Sequence, residues 1–194
     1  MILPIYNCYN PILRTKTDEI ENIDQSLFDF ANSMIETMYN ADGIGLAANQ
    51  VGDKRSIIIV DDTKTEKSDF KPFAMINPKI VSFSDILSDY KEGCLSIPQY
   101  YEIVMRPSEI EVEYVDLKGK PKKIATGGLL ARIIQHEVDH LNAILFFDKI
   151  TPLKRALAKS KLRKIELNKV IPHYDMISAT NRLIKGIDDE EEEY

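Results

Sequence analysis

Two of the three histidines in this chain, His136 and His140, stand four residues apart in the run His136-Glu137-Val138-Asp139-His140. No other feature constrains the fold as much. On a helix, residues four apart lie nearly above one another, so both imidazoles can meet one metal ion. The neighbouring sequence predicts that helix. Gly127-Gly128 opens it, it runs through Leu141, and Leu129, Leu130, Ile133, Ile134 and Leu141 are its apolar set. Glu137, beside the first histidine, has the position of a general base toward a water held there. The bland alternative is two ordinary histidines on a surface helix.

The rest of the chain supplies what surrounds this helix. Leu27, Phe30, Ala31, Met34, Ile35 and Met38 form a second apolar stripe at helical spacing. Asp24 or Ser26 caps its start, and Asn40 to Gly43 ends it, Gly tolerating the left-handed turn. Ile57 to Val60 reads as a buried strand and Asp61 to Asp69 as a loop. Phe73 to Ile76 and Ile80 to Phe83 read as two strands split by the turn signal Asn77-Pro78. Glu109 to Val115 alternates charged and apolar residues, the mark of a half-buried strand. Lys118-Gly119 turns the chain, and Lys122 to Ala125 pairs back as a hairpin. Strands grouped between helices predict an α+β fold: mainly antiparallel sheets around a central metal-binding helix, with an N-terminal and a C-terminal helix.

A length of 194 residues favours one domain with its own core. Residues 1–170 are expected to form it, and 171–194 a C-terminal extension with a partly disordered acidic tail. With 25 basic and 31 acidic residues, a global basic surface for nucleic acid is excluded, and no specific DNA binding is expected. No apolar run reaches the length needed to cross a bilayer, so no membrane partner is expected, and no secretory leader is evident. Two cysteines, Cys8 and Cys94, cannot staple a chain this size, which points to a reducing, cytoplasmic compartment. Charge is uneven near the end. Thr151 to Lys169 holds seven basic residues against one acid, Glu166, and Asp188 to Glu193 is a run of six acids. A solvated helix face explains the first, and disorder the second.

A metal needs a third ligand. Cys94, in Lys91-Glu92-Gly93-Cys94-Leu95-Ser96-Ile97-Pro98, is the candidate. Taken alone it reads as a small buried hydrophobe. With His136 and His140 it completes a Cys-His-His set that leaves a position open, the pattern of a catalytic rather than a structural site. Cys8 and His173 have no comparable setting. Gly43 and Gly45 open the segment Gly43 to Gln50, whose spacing fits neither the Walker nor the dinucleotide pattern. Gln50 there is a neutral donor that can face a developing oxyanion.

Gly-Ile-Gly-Leu-Ala-Ala-Asn-Gln at 43–50, Glu-Gly-Cys-Leu-Ser at 92–96 and Gln-His-Glu-Val-Asp-His-Leu at 135–141 resemble, in order and spacing, the three motifs of the peptide deformylases. The resemblance spans roughly residues 1–165, and through Pro152 to Lys169 it is similar to the bacterial subclass with a helical C-terminus. It implies an enzyme that removes the N-formyl group from the N-terminal methionine of new polypeptides and releases formate. It implies one divalent ion on Cys94, His136 and His140, iron(II) natively, with zinc, nickel or cobalt as substitutes. Glu137 would be the proton carrier, and Gln50 with the Leu95 N–H would hold the oxyanion. Ile44, Leu129 and Tyr90 would line a slot for the methionine side chain. Gly45 and Tyr101 would touch the peptide backbone, and an Asp42–Arg106 pair with Gly43 would support the loop. N-formylmethionyl peptides are the implied substrates, and the basic tract 151–169 is a candidate ribosome contact. Several residues depart from the family pattern: Asn49 for Pro, Asp42 for Glu, Tyr101 where some members carry Arg, and Asn142-Ala143 for x-Gly. Two rivals stand beside this reading. One is a zinc endopeptidase drawing its third ligand from Glu166; the other is a catalytically silent metal-binding module.

Overall fold

A computed structural model describes residues 1–61 and 72–187. Strand β1 (Ile5–Tyr6) leads into helix α1 (Gln25–Asn40). The Asp24 carboxylate caps α1 by accepting from the Leu27 N–H, and Leu27, Ala31, Met34 and Met38 turn inward. The left-handed turn expected of Gly43 falls instead on Asp42, at φ 55°. Gly43 is reserved for a close approach, since a Cβ there would lie 2.8 Å from Leu95 Cδ1.

Next come β2 (Gly45–Ala47), β3 (Ile57–Val60), β4 (Phe73–Phe83), β5 (Leu87–Cys94), β6 (Ile97–Pro107), β7 (Glu109–Val115) and β8 (Pro121–Gly127). Five of them form one antiparallel sheet in the order β2-β3-β4-β7-β8, and β5-β6 form a separate ribbon. Every residue of β3 is fully buried, and β7 buries Ile110 and Val112, as their patterns predicted. Asn77-Pro78 does not split β4. It forms an irregularity inside one strand, where the register against β7 shifts between Ile76 and Lys79. Asn77 takes φ 49°, and its side chain exchanges two 2.9 Å hydrogen bonds with the backbone of Ile20. A strand accepts proline at such a site because no ladder bond is required of it.

Helix α2 (Gly128–Leu141) packs on the large sheet. Ala131, Ile133, Ile134, Val138 and Leu141 pack against Ala47, Ile58, Val60, Met75, Ile110 and Val112. This cluster fixes the helix that carries both histidines, so the sheets do pack around it. Ala143, where the resemblance expects Gly, holds φ 62° just beyond α2, a conformation that costs an L-residue ~1–2 kcal/mol.

Helix α3 (Pro152–Glu166) follows, capped by the Thr151 hydroxyl. Ala158, Leu162 and Ile165 bury one narrow stripe and the cations face outward. Strands β9 (Met176–Ile177) and β10 (Leu183–Ile184) close a small sheet in which β9 runs parallel to β1. The loop expected after Asp61 and the acidic tail both lie outside the described residues.

Candidate metal centre

Strand β5 ends at Cys94, and α2 places His136 and His140 against it. The Cys94 Sγ lies 3.2 Å from His140 Nε2, and one ligand atom from each of the three residues lies within 4.8 Å of the others. All three side chains are held by rigid elements rather than by a loop, which suits a preformed site. A sulfur and two imidazoles are a fitting donor set for a borderline divalent ion. Glu137 Oε2 and His140 Nδ1 are buried there with no hydrogen-bond partner among the described residues. Burial, with His136 as a neighbour, pushes His140 well below the ordinary imidazole range, so it is neutral, the ligating form.

Glu92 organises the surroundings. It sits two residues before Cys94 on β5, buried to 5 % exposure. Arg106 donates to it through Nε and a terminal nitrogen, at 2.6 and 2.9 Å, and Arg132 donates at 3.0 Å. His136 Nδ1 lies 3.0 Å from its other oxygen. Burial alone would raise the Glu92 carboxyl. The hydrogen bonds and charges of His136 and Arg106 reverse this and hold it far below the usual carboxylate range. An ionised Glu92 takes the proton-bearing Nδ1 of His136 and turns Nε2 free toward the site, the carboxylate–histidine arrangement common behind bound metals.

Arg106 therefore does not pair with Asp42. Its remaining nitrogen donates to Asp139, while Asp42 is a solvent-exposed side chain whose carboxylate lies 3.6 Å from His173 Nε2. The distant carboxylate that the resemblance suggested lost to one on the partner strand of the ribbon. The registers place Glu92 opposite Glu102, four residues from Arg106 on β6, so the arginine's long side chain spans the gap. Glu92, Arg132 and Asp139 went unassigned in the sequence reading. Spacing carried a signal for two of them: Glu92 shares a strand face with Cys94, and Arg132 precedes His136 by one helical turn.

Glu137 projects from α2 beside Gly45, and burial raises its carboxyl to about 7. A Cβ on Gly45 would overlap Glu137 Oε1 and reach within 2.8 Å of Ile133 Cγ2. Replacing Gly45 with Ala is expected to displace that carboxylate and lower kcat by ~10²-fold, the scale of a misplacement near 1 Å. Steady-state kinetics, with thermal melting as a control for folding, measures it. Gln50 accepts the Ala47 N–H at 2.8 Å, which fixes its amide; Nε2 then points toward Ser96 Oγ at 3.3 Å and Cys94 Sγ at 3.6 Å. Asn49 donates to the backbone carbonyl of His140, tying the 43–50 segment to α2 in a way proline could not.

A cleft of about 620 Å³ opens onto these groups. Asp42, Gly43, Ile44, Gly45, Gln50, Cys94, Leu95, Leu129, His136 and Glu137 line it, with Tyr90 and Tyr101 at its rim, 48 % and 59 % exposed. The Tyr101 ring covers Gly93, leaving no room for a Cβ there. Arg106 and His140 are not among the residues that line it. His173 lines the cleft but is outside the donor cluster, its Nε2 3.0 Å from the Asn40 carbonyl. Cys8 is a core residue whose thiol burial raises. Glu166 pairs with Arg163 on α3 and is not in the donor cluster.

Sequence and structure comparisons agree. The family model described as polypeptide deformylase matches residues 2–156. A peptide deformylase of Rhizobium meliloti is 46% identical over 163 residues, 84% of this chain and 93% of that protein. One of Agrobacterium fabrum is 43% identical over 169 residues, 87% of this chain and 99% of that protein. Among solved structures, a peptide deformylase from Legionella pneumophila superposes with a TM-score of 0.78 at 38% identity, covering 87% of this chain and 98% of that one. One from Synechococcus elongatus, in complex with actinonin, gives 0.76 at 40% identity, covering 82% and 87%. The chain belongs to the polypeptide deformylase family, metal-dependent hydrolases that remove the N-formyl group from newly made peptides.

Proposed function

We propose the following division of labour for hydrolysis of the formyl–methionine amide. Cys94, His136 and His140 hold one divalent ion, iron(II) in the cell, with zinc, nickel or cobalt able to replace it. When bound, that ion would supply Lewis acidity toward the attacking water and the formyl carbonyl. Glu137 accepts a proton from the attacking water and returns it to the amine as the C–N bond breaks, leaving formate and a free N-terminus. The Leu95 N–H and Gln50 Nε2 face the oxygen on which negative charge develops. Glu92 fixes the His136 tautomer, and Arg106 and Arg132 keep Glu92 ionised. The methionine side chain lies along Ile44, Leu129 and Tyr90, and Gly45 and Tyr101 touch the peptide backbone.

One observation carries this reading: a buried carboxylate, Glu137, with one oxygen unpartnered among the described residues, beside a Cys-His-His donor cluster of which Cys94 and His136 line an open cleft. Cys94→Ala is expected to lose metal and turnover together, as read by elemental analysis and formate release on one sample. Full metal content in Cys94→Ala would remove Cys94 from the ligand set.

The basic tract supports a ribosome contact as part of the same proposal. Arg155, Lys159, Lys161, Arg163 and Lys164 all face solvent on α3. Such a contact weakens steeply with salt. Among the described residues no helix is long and apolar enough to cross a membrane. Two unpaired cysteines are what a reducing cytoplasm keeps, and we place the enzyme there.

A further inference from the structure

We infer that residues 171–187 form a second wall of the cleft that selects the residues following the methionine, favouring bulky apolar ones. The inference rests on the deformylase reading above and extends it to a part of the substrate that reading leaves open. The segment lies beyond residue 156, where the family match ends, yet Ile171, Pro172, Tyr174 and Ile187 line the same cleft as Cys94 and Glu137.

The wall is fixed in place. The Ile5 N–H donates to the Asp175 carbonyl at 2.9 Å and the Asn7 N–H to the Ile177 carbonyl at 2.8 Å, docking β9 along β1. The Ile187 N–H returns to the Pro172 carbonyl at 3.1 Å, so both ends of the segment meet at the cleft. Gly186 permits that return, because a Cβ there would lie 2.5 Å from the His173 carbonyl oxygen. The Tyr174 hydroxyl donates to the Leu95 carbonyl at 2.7 Å, joining the wall to the residue whose N–H faces the reacting carbonyl.

Its chemistry is apolar. The Tyr174 hydroxyl is engaged on Leu95 and His173 Nε2 on Asn40; Ile171 and Ile187 are the accessible apolar side chains, backed by the buried Pro172 and Tyr174. Ile187 is 45 % exposed. On the reading above the methionine side chain lies along Ile44, Leu129 and Tyr90, which line the same cleft. An extended peptide advances ~3.3–3.6 Å per residue, so the two residues after methionine pass within reach of the wall. Part-burial of one leucine-sized side chain corresponds to about tenfold in kcat/KM.

The test compares formyl-Met-Leu-Leu with formyl-Met-Ser-Ser on the metal-loaded full chain, on Ile187→Ser and on Ile171→Ser. The parent is expected to prefer the leucine peptide about tenfold, mostly through KM, as for uniform binding. Each variant is expected to cut that ratio about threefold or more. The ratio cancels any general loss of activity, so partial misfolding does not imitate the result. A parent that turns over both peptides equally, or a preference that both variants leave intact, overturns the wall. No formate from either peptide overturns the deformylase reading itself, and the wall with it.

Discussion

Glu137→Gln is expected to lower kcat/KM by ~10²–10⁴ while metal content stays near one ion per chain, the range a positioned general base contributes. The amide matches the carboxylate in shape and keeps hydrogen-bonding capacity, but it cannot accept a proton at neutral pH. Glu137 is 4 % exposed and contacts no donor through Oε2 among the described residues, so its chief electrostatic influence is burial, which raises it to about 7. A cation on Cys94, His136 and His140 acts in the opposite sense and lowers it. The base must be ionised to work. Activity in the parent therefore falls as pH drops through a value at or below about 7. A pH–rate profile shows that acid limb in the parent and should show none with this origin in Glu137→Gln. An undiminished rate in the variant would hand the proton to another group.

The second large effect concerns stability. Glu92→Ala is expected to destabilise the fold by ~3–5 kcal/mol, the range for breaking a buried ion pair from one side. The side chains of Arg106 and Arg132 are 3% and 6% exposed, and both would be left in the interior without their carboxylate. Arg106 would keep Asp139, and Arg132 would keep the Ser88 and Val104 carbonyls, which places the loss within that range rather than above it. The pH dependence has a definite sign. The folded-state pKa of Glu92 lies below its unfolded value, so its contribution is complete above the ordinary carboxylate range and is lost as pH falls through and below it. Urea unfolding of parent and variant at pH 7 and pH 4 measures both quantities, the difference shrinking at the lower pH. Metal affinity should also fall, ~10–100-fold, since His136 loses the group that orients it.

Much of this was readable from residue spacing, and the rest was hidden for physical reasons. The four-residue histidine interval, the buried run Ile57 to Val60 and the alternation of Glu109 to Val115 each report one element, because each buries its apolar side in the usual way. The β5–β6 ribbon inverts that rule in part, although Ile97, Tyr100 and Val104 still turn inward. It turns Leu87, Tyr101, Ile103 and Met105 outward and Glu92 and Arg106 inward, so its alternation gives no strand signal. That inversion is the same fact as the buried network behind His136. A hydropathy pattern cannot distinguish a paired interior charge from an exposed one. Asp42 and Arg106 show the limit of resemblance: a pairing suggested by family position gave way to one set by the strand ribbon. The docking of 171–187 was equally hidden. Two-residue strands such as Met176–Ile177 bear no periodicity, and their partner, Ile5–Tyr6, lies at the other end of the chain.

The most direct test is anaerobic turnover of formyl-Met-Ala against acetyl-Met-Ala, with metal content read on the same sample. Release of formate from the first, an untouched acetyl peptide and about one ion per chain are the predicted results. A fully metallated protein that releases no formate, or that cleaves both peptides alike, would contradict a formyl-sized site built on Cys94, His136, His140 and Glu137.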